Sequence, residues 1–282
     1  MVKRLSFLMH LPAGRVLAGL AALCCSSVMA QGVIGPTVSV EQDAASSELP
    51  RSLELSAGFQ NLSAGFGNWR DVTLRGTYGL TSHVIQGEIS LNRRFNTDGA
   101  FVGLSDTYTF NQDWYGSVAV GLGDGAFYLP RYRLDATLNK KWLPGRNLVT
   151  SIGAGYYKAT DGHSDNSLSL GAVYYFDEPW IAEAGVRFNS SNPGAIKTHQ
   201  QFAAVTYGRI KQSLVTVRHG WGSEGYQTIS DNAQLVNFKS RETSIAWRHW
   251  VAPRTGILLG ANRYTNPFYN RSGLNIGIFH DF

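Results

Sequence analysis

The feature that most constrains this chain is a two-residue alternation of apolar and polar side chains, which recurs in segments of about ten residues. Successive side chains of a strand point to opposite faces, so each segment has one apolar and one polar face. In the segment 180–189, Trp180 and Phe188 share the apolar face, while Glu183 and Arg187 lie on the other. The pattern predicts a series of strands that are each apolar on one face only.

The length and composition of these segments suit a membrane. A tilted strand crosses the hydrocarbon core in about 9–11 residues. Charged residues make up 16% of the chain, against about 25% in an average soluble domain. After residue 30 no stretch approaches about 18 consecutive apolar residues, the length of a spanning helix. Because only helices and closed barrels satisfy every backbone group in lipid, we predict an all-β, single antiparallel transmembrane β-barrel.

The strand count follows from the number of alternating segments. We predict about 14 strands, with 12 as the alternative, because the segments 200–210, 213–222 and 239–251 alternate less clearly. An even number returns both chain ends to the same side of the membrane. The predicted strands are 52–62, 72–80, 84–95, 100–110, 114–124, 131–142, 148–160, 166–176, 180–189, 200–210, 213–222, 239–251, 256–265 and 274–282.

The connections between the segments alternate in length. Tight turns are predicted at one end of the barrel and longer loops at the other, as in barrels with short periplasmic turns and longer extracellular loops. Trp114, Trp142, Trp180 and Trp250 lie beside the tight turns and predict an interfacial girdle. The longer loops are predicted at 63–71, 96–99, 125–130, 161–165, 191–199, 223–238 and 266–271.

The N-terminal region predicts export. Residues 1–30 have a basic start, an apolar stretch at 16–23 and a small residue before the predicted cleavage site after Ala30, which is the pattern of a signal peptide. Both cysteines of the chain lie within it, so no disulfide or thiolate metal site is expected in the mature protein. Residues 31–51 are predicted to be a flexible periplasmic segment, and residues 52–282 form the barrel.

The C-terminal segment is predicted to be the strand that closes the barrel. Leu274, Ile276 and Ile278 share the face expected to meet lipid, together with the last residue, Phe282. A terminal aromatic residue resembles the signal that the barrel-assembly machinery reads, so Phe282 is the candidate assembly signal. His280 stands where this resemblance leads us to expect an aromatic or apolar residue.

The charge of the chain excludes one class of partner. Of the 25 basic residues three lie within residues 1–30, which leaves 22 against 20 acidic residues. There is no basic excess to indicate nucleic-acid binding. No cofactor is predicted.

Charged residues on the polar faces are candidates for the lumen. One hypothesis is an electropositive constriction that selects anionic solutes or sugars. The other is that opposite charges pair across adjacent strands and stiffen the interior, which the presence of both signs favours. The candidates are Arg75, Glu88, Arg94, Arg133, Asp135, Glu183, Arg187, Arg218 and Arg248.

The predicted loops supply further candidates. Trp221, Tyr226 and Gln227 have the side chains to stack on or hydrogen-bond to a sugar. The loop 161–165 contains oxygen ligands, but it lacks the regular ligand spacing of a calcium loop, so no metal is predicted. The segment 188–194 faintly resembles the site of lipid-modifying barrel enzymes. It carries an asparagine where a basic histidine is required, so no catalytic residue is predicted.

Several segments resemble those of the YaiO family of outer membrane β-barrels, and the resemblance covers most of residues 52–282. It implies a single barrel domain in the outer membrane, sometimes linked with surface polysaccharide systems, and it provides no catalytic residues to carry over. The segments are Pro130–Asp135 continuing to Leu143–Pro144, Gly155–Lys158, Gly220–Tyr226, and Asn262–Tyr264 continuing to Phe282.

These observations lead to one functional hypothesis and two alternatives. The hypothesis is a pore or translocation component for small polar or anionic solutes or for a surface saccharide. The alternatives are a non-conducting scaffold of a surface polysaccharide system and a lipid-modifying outer membrane enzyme. The expected partners are outer membrane lipid and lipopolysaccharide, the barrel-assembly machinery and polysaccharide export components.

Overall fold

The computed structural model describes residues 49–282 and, before them, two short strands that pair antiparallel with each other, β1 (Gly19–Leu20) and β2 (Val40–Glu41). The predicted signal peptide and the predicted flexible segment otherwise lie outside the described residues. Within the described part of the chain, the structure contains no helix that is long and apolar enough to span a membrane.

Residues 51–281 form a closed barrel of fourteen antiparallel strands. Each strand pairs with its neighbours in the sequence, and the last strand pairs with the first along a register that runs from Arg271 opposite Leu62 to Asp281 opposite Ser52. The prediction of a single closed antiparallel barrel is confirmed. The strands are β3 (Arg51–Leu62), β4 (Trp69–Gly79), β5 (His83–Arg94), β6 (Thr97–Thr109), β7 (Trp114–Gly123), β8 (Pro130–Trp142), β9 (Leu148–Ala159), β10 (Ser164–Tyr175), β11 (Trp180–Asn192), β12 (Ile196–Arg209), β13 (Ser213–Ser230), β14 (Ala233–Ala252), β15 (Thr255–Thr265) and β16 (Asn270–Asp281).

The alternation in the sequence becomes an outer apolar face and an inner polar face. In the closing strand β16, Leu274, Ile276 and Ile278 are each more than half exposed on the outside of the barrel. Their neighbours Gly277 and Phe279 point inward and are buried. Because lipid solvates apolar side chains, an exposed apolar band on the outer surface is what a transmembrane barrel requires.

Aromatic residues border this band at the end of the barrel where β3 begins and β16 ends, which we call the near end. Trp142 and Trp180 are exposed there on the outer surface, next to turns. The prediction for Trp250 is wrong, because this residue is 8% exposed and packs inside the barrel against Leu214 and Phe279. Trp250 shares the inward face with Arg248, and the outer face of β14 carries Trp247 instead.

The connections differ from the predicted lengths at the opposite end, which we call the far end. The loops at 63–68 and 124–129 are longer than most near-end turns, but the connections at 95–96 and 231–232 are two-residue turns. The predicted loop 223–238 is wrong, because β13 and β14 continue through it and reach 18 and 20 residues. These strands extend beyond the length needed to cross a membrane. Their extensions lack the regular apolar outer face from which the sequence predicts a strand.

The two faces of one strand give a direct test of the fold. Leu104 lies near the middle of β6 and is 55% exposed on the outer face, whereas the adjacent Ser105 points inward beside Ala119. We expect Leu104→Arg to lower the free energy of unfolding by about 2–4 kcal/mol, because the guanidinium meets lipid near the bilayer midplane. Ser105→Arg, the matched control, places the same charge in the polar interior and should cost less. Equal losses in urea unfolding from lipid vesicles would contradict this orientation.

Candidate functional site

The inner face of the barrel is lined mainly by hydroxyl, amide and charged side chains. Inward hydroxyl groups on adjacent strands hydrogen-bond to one another, as Thr73 does to Ser90 at 2.9 Å and Thr206 to Thr216 at 2.8 Å. Each pair joins residues that face each other across the ladder, so the contacts follow directly from the strand register. These paired hydroxyl groups satisfy one another inside the barrel.

One side of the interior carries a chain of ion pairs. The Glu54 carboxylate on β3 accepts hydrogen bonds from Arg75 on β4 at 3.2 Å and from Arg248 on β14 at 3.0 Å. Arg75 also donates to Glu88 on β5 through Nη2 at 2.5 Å and Nε at 3.1 Å. Arg248 lies over the ring of Phe279 at 3.5 Å, which fixes the guanidinium against the wall. The four charged side chains therefore tie together strands that are not all neighbours in the sheet.

The facing wall holds a second set of charges with different partners. Arg133 and Asp135, which share the inward face of β8, form a salt bridge at 2.9 Å. Arg187 on β11 is bound by neutral groups, since it donates to Ser167 at 2.7 Å and to Asn189 at 3.0 Å. Its Nη1 atom is buried without a hydrogen-bond partner. The direct hydrogen bonds of Arg187 thus go to neutral groups and not to a carboxylate.

The remaining predicted lumen residues also lie on the inner face. Glu183 and Arg218 occupy one row across three strands, with Ala204 of β12 between them. The Arg218 guanidinium lies 3.6 Å from the centre of the Phe202 ring. Arg94 is buried near the far end, where it lies over the ring of Trp69 at 5.0 Å. All nine predicted lumen residues therefore face the interior, but at different depths and with different partners.

The sequence-based list missed the residue that connects the first ion-pair chain. Glu54 lies in a predicted strand, and it alternates with Ser52 and Ser56 on the polar face, so the same periodicity would have found it. Charged residues at the far end were also missed, because they lie where loops were predicted or at strand ends. Arg271 binds Glu242 at 2.9 Å, and Glu224 accepts a hydrogen bond from Tyr264 at 2.8 Å. With these residues included, cations and carboxylates are nearly balanced on the described inner face.

Aromatic side chains join successive connections at the far end. Phe66 in the β3–β4 loop packs against Tyr269 in the β15–β16 turn, with ring centroids 5.3 Å apart, and edge-on against Phe95 in the β5–β6 turn at 6.0 Å. Phe95 in turn contacts Phe127 in the β7–β8 loop at 6.1 Å. Such ring pairs stabilise the packing beyond the area they bury. Four connections are thereby held together inside the rim.

The Tyr128 hydroxyl adds a further anchor between the β7–β8 loop and the wall. Tyr128 donates to the carbonyl oxygens of Asn92 at 3.0 Å and Thr97 at 3.2 Å. Burial raises the pKa of Tyr128 to about 12. The hydroxyl therefore stays protonated and able to donate across the physiological range.

The long β13–β14 hairpin joins the other connections of the far end. Tyr226 donates to the carbonyl of Pro193 in the β11–β12 turn at 2.7 Å, and Gln227 donates to Tyr269 at 2.6 Å. Thr228 donates to Asp161 in the β9–β10 turn at 3.4 Å. That turn is two hairpins away around the barrel, so the β13–β14 hairpin leans inward over the far-end opening. Together with the aromatic contacts, this hairpin links all seven far-end connections.

The three predicted loop-binding residues do not form a common site. Trp221 is exposed on the outer surface of β13, where it stacks on His219 with ring centroids 5.6 Å apart. Tyr226 and Gln227 are buried and bind Pro193 and Tyr269. The prediction of one sugar-binding loop is therefore wrong, because these residues belong to strands and point to different sides.

Two other candidate segments have structural partners. The Asp161 carboxylate lies 2.9 Å from the His163 ring, and in residues 49–282 no three His, Cys, Asp or Glu side chains converge on a position for a metal ion. In the segment 188–194, Asn189 is buried inside the barrel and bound by Arg187, whereas Ser190 points outward. Adjacent strand residues on opposite faces cannot act on one substrate together.

Comparison with known proteins supports this architecture. The model of the YaiO membrane beta barrel domain matches residues 50–227. A search of proteins with curated functions gave no match. Among solved structures, the CymD monoaromatic hydrocarbon channel is similar with a TM-score of 0.56 at 7% identity, covering 83% of this chain and 88% of that one. A bacterial polysaccharide outer membrane secretin has a TM-score of 0.53 at 10% identity, covering 82% and 98%. Omp33 of Acinetobacter baumannii has 0.51 at 12% identity, covering 83% and 99%. At these identities the likeness establishes the fold alone.

The ion-pair chain predicts an unequal response to two charge removals. We expect Glu54→Gln to lower the free energy of unfolding by about 3 kcal/mol, because it leaves Arg75 and Arg248 in the barrel without their shared carboxylate. Asp98→Asn removes the partner of Arg93 on the exposed outer surface and should cost under about 1 kcal/mol. Urea titration of both variants against the parent checks this. A Glu54→Gln variant as stable as Asp98→Asn would show that the pairing carries no stability.

Proposed function

We propose that this chain, which belongs to the YaiO membrane beta barrel family, is an outer membrane pore or translocation component for small polar solutes, saccharides among them. The observation that carries the proposal is the lumen itself. A barrel of fourteen strands is wider than the eight-stranded barrels whose interiors side chains fill. Midway along the barrel the inner face consists mainly of hydroxyl, amide and charged groups, and the inward apolar clusters lie toward the two ends.

The charge balance of the lumen bears on which solutes are favoured. A constriction that selects anions carries an excess of one sign, because the field of a charged ring sets selectivity. Here Glu54, Glu88 and Asp135 pair with arginines, which cancels much of that field. Uncharged polar solutes are therefore favoured over anions, with Arg187 as a local exception.

The hydroxyl groups of the lumen support a saccharide-like cargo. Ser105, Ser151 and Ser169 face inward and are partly exposed, so their hydroxyl groups can donate hydrogen bonds to sugar hydroxyls and accept hydrogen bonds from them. A polar site that holds a polar ligand needs such convergent groups, and it does not need a net charge. The joined connections of the far end would then limit the size of the solute that enters.

Single-channel recording tests the proposal. The full chain in a planar bilayer should give discrete conductance steps with little preference between potassium and chloride. Arg187→Gln should shift the reversal potential toward cation selectivity, because it removes the lumen cation that pairs with neutral groups. Glu183→Gln, the control of opposite sign on the same strand, should shift it toward anions. A persistently silent bilayer would contradict a pore and favour a scaffold in a surface polysaccharide system.

The β13–β14 hairpin gives a second test. Glu224 and Phe238 are paired residues of the hairpin, so replacing residues 225–237 with an Asn-Gly turn joins them in a two-residue hairpin. The contacts of Tyr226, Gln227 and Thr228 are then lost. In solutions of larger neutral oligosaccharides, proteoliposomes that contain this shortened variant should swell faster than proteoliposomes that contain the parent chain. The control exchanges only the turn residues 231–232 for Asn-Gly, and an identical size limit in all three proteins would exclude the hairpin as the restriction.

A further inference from the structure

The outer surface of the barrel carries a group of exposed cations at the far end. Lys197 on β12, Lys239 and Arg241 on β14, and Arg263 on β15 point outward and are exposed. We call these four residues the cationic patch. They lie at the far-end border of the apolar band, whose nearest exposed member on β14 is Ile245. Their position corresponds to the height of lipid headgroups rather than of acyl chains.

The strand register places the cations of the patch close to one another. Arg241 pairs with Thr265 and Arg263 pairs with Thr243, so the two arginines are diagonal neighbours on one face. Lys239 is one pleat further along the same face of β14. Diagonal neighbours on a sheet are about 7–8 Å apart, and like charges at this spacing repel. The arrangement is therefore unfavourable unless an anion lies between them.

No acidic side chain compensates this repulsion. Along β12–β15 the outward-facing positions of the described strands contain no Asp or Glu. None of the four patch cations lies within salt-bridge distance of a carboxylate in residues 49–282. Arg263 makes one long contact, to the Ser272 hydroxyl at 3.5 Å.

Outer-surface cations elsewhere on the barrel have partners. At the near end, Arg51 lies over the Tyr78 ring at 4.7 Å and Lys140 lies over the Trp142 ring at 3.7 Å. At the far end but on another side, Arg93 binds both oxygens of Asp98 at 2.9 and 2.8 Å. Exposure on the outer surface therefore does not by itself leave a cation without a partner.

An apolar groove adjoins the patch. It has a volume of about 450 Å³ and runs across β10–β12 on the outside of the barrel. Leu168 and Phe188 form its apolar wall, and Asn166, Ser190 and His199 add polar groups next to Lys197. The backbone of His199 donates to Ser223, whose Cα partner on β14 is Lys239, so the groove and the patch share one continuous surface.

We propose that the groove and the cationic patch together bind a phosphorylated, acylated glycolipid of the outer leaflet, such as the lipid A part of lipopolysaccharide. Its phosphate groups would lie between Lys239, Arg241 and Arg263, which neutralises their repulsion through charge-assisted hydrogen bonds. An acyl chain would occupy the groove against Leu168 and Phe188. The exposed Trp221, the Cα partner of Arg241, provides the amphipathic ring typical of a membrane interface.

The site faces lipid, and this decides the class of ligand. A soluble anion would not require an apolar groove at the border of the lipid-facing band, whereas an acylated phosphate supplies both an anion and an apolar chain. The assignment depends on the far end lying at the outer leaflet, which is the topology predicted for both chain ends in the periplasm. It does not depend on whether the lumen conducts.

Binding of purified lipids to the folded full chain tests the site. The probes are hexa-acylated lipid A carrying two phosphates and the same lipid without phosphates, each added to the protein in detergent and quantified by native mass spectrometry. The variant is the double substitution Arg241→Gln with Arg263→Gln. We expect it to weaken binding of the phosphorylated lipid at least about tenfold and to leave the dephosphorylated lipid unchanged, because hydrogen bonds to charged groups are lost.

The matched control is Arg70→Gln with Arg93→Gln. These two exposed arginines also face outward at the far end, and they are direct partners on β4 and β5. This control removes the same amount of charge from the same rim, but outside the cationic patch. We therefore expect it to bind the phosphorylated lipid within about twofold of the parent. An equal loss in both double variants would assign the binding to diffuse attraction and overturn the site. Equal binding of both lipids by the parent would overturn the role of the phosphates.

The groove is tested separately with Phe188→Ser. This change should weaken binding of hexa-acylated lipid A and leave binding of a glucosamine disaccharide bisphosphate without acyl chains unaltered. All of these substitutions are at exposed positions, so the barrel should keep its β-sheet circular dichroism. Undiminished binding of the acylated lipid by Phe188→Ser would exclude the groove as the chain-binding part.

Discussion

The constraint on which the rest of this structure depends is that backbone N–H and C=O groups have no water partners in lipid. The chain satisfies them by pairing each strand with its neighbours and β16 with β3, which leaves no free sheet edge. Closure by fourteen strands then sets the width of the barrel, and the two-residue side-chain period sets what its two surfaces expose. Every later feature, including the lumen and the outer patch, is a consequence of which residue falls on which face.

Charged side chains have different partners inside the barrel and on its outer surface. Inside, Glu54 binds two arginines, so carboxylates and guanidinium groups hold distant strands together. Such pairs are favourable only where geometry and extra hydrogen bonds offset the desolvation of both ions. Arg187 shows the alternative, because its direct hydrogen bonds go to the neutral side chains of Ser167 and Asn189. A lumen built in this way presents many hydrogen-bonding groups and little net charge. This wall chemistry is the basis of the proposal that polar solutes are favoured.

The sequence was sufficient to predict the strands that cross the membrane and the direction of their side chains. All nine predicted lumen residues face inward because alternation by two determines the face of a residue once its strand is found. The position of Trp250 beside a turn did not determine which face it occupies. Trp250 is two residues from Arg248 on the same strand, so both side chains point inward. The loop 223–238 was missed for a different reason. Strands above the membrane are stabilised by cross-strand pairing and by contacts such as Gln227 with Tyr269, so they need no apolar outer face.

The same extension explains why the far end has two chemistries within a short distance. Once β13 and β14 rise past the apolar band, their outward positions no longer need to be apolar, and Lys239 and Arg241 occupy them. Their inward positions carry Glu224, Phe238 and Glu242, which bind aromatic and charged groups of the rim. A cation on the inner face of this hairpin would meet a carboxylate, whereas on the outer face it meets the headgroup region. In the proposed complex, the phosphate groups of the bound lipid supply the counter-charge of the unpaired cations on the outer face.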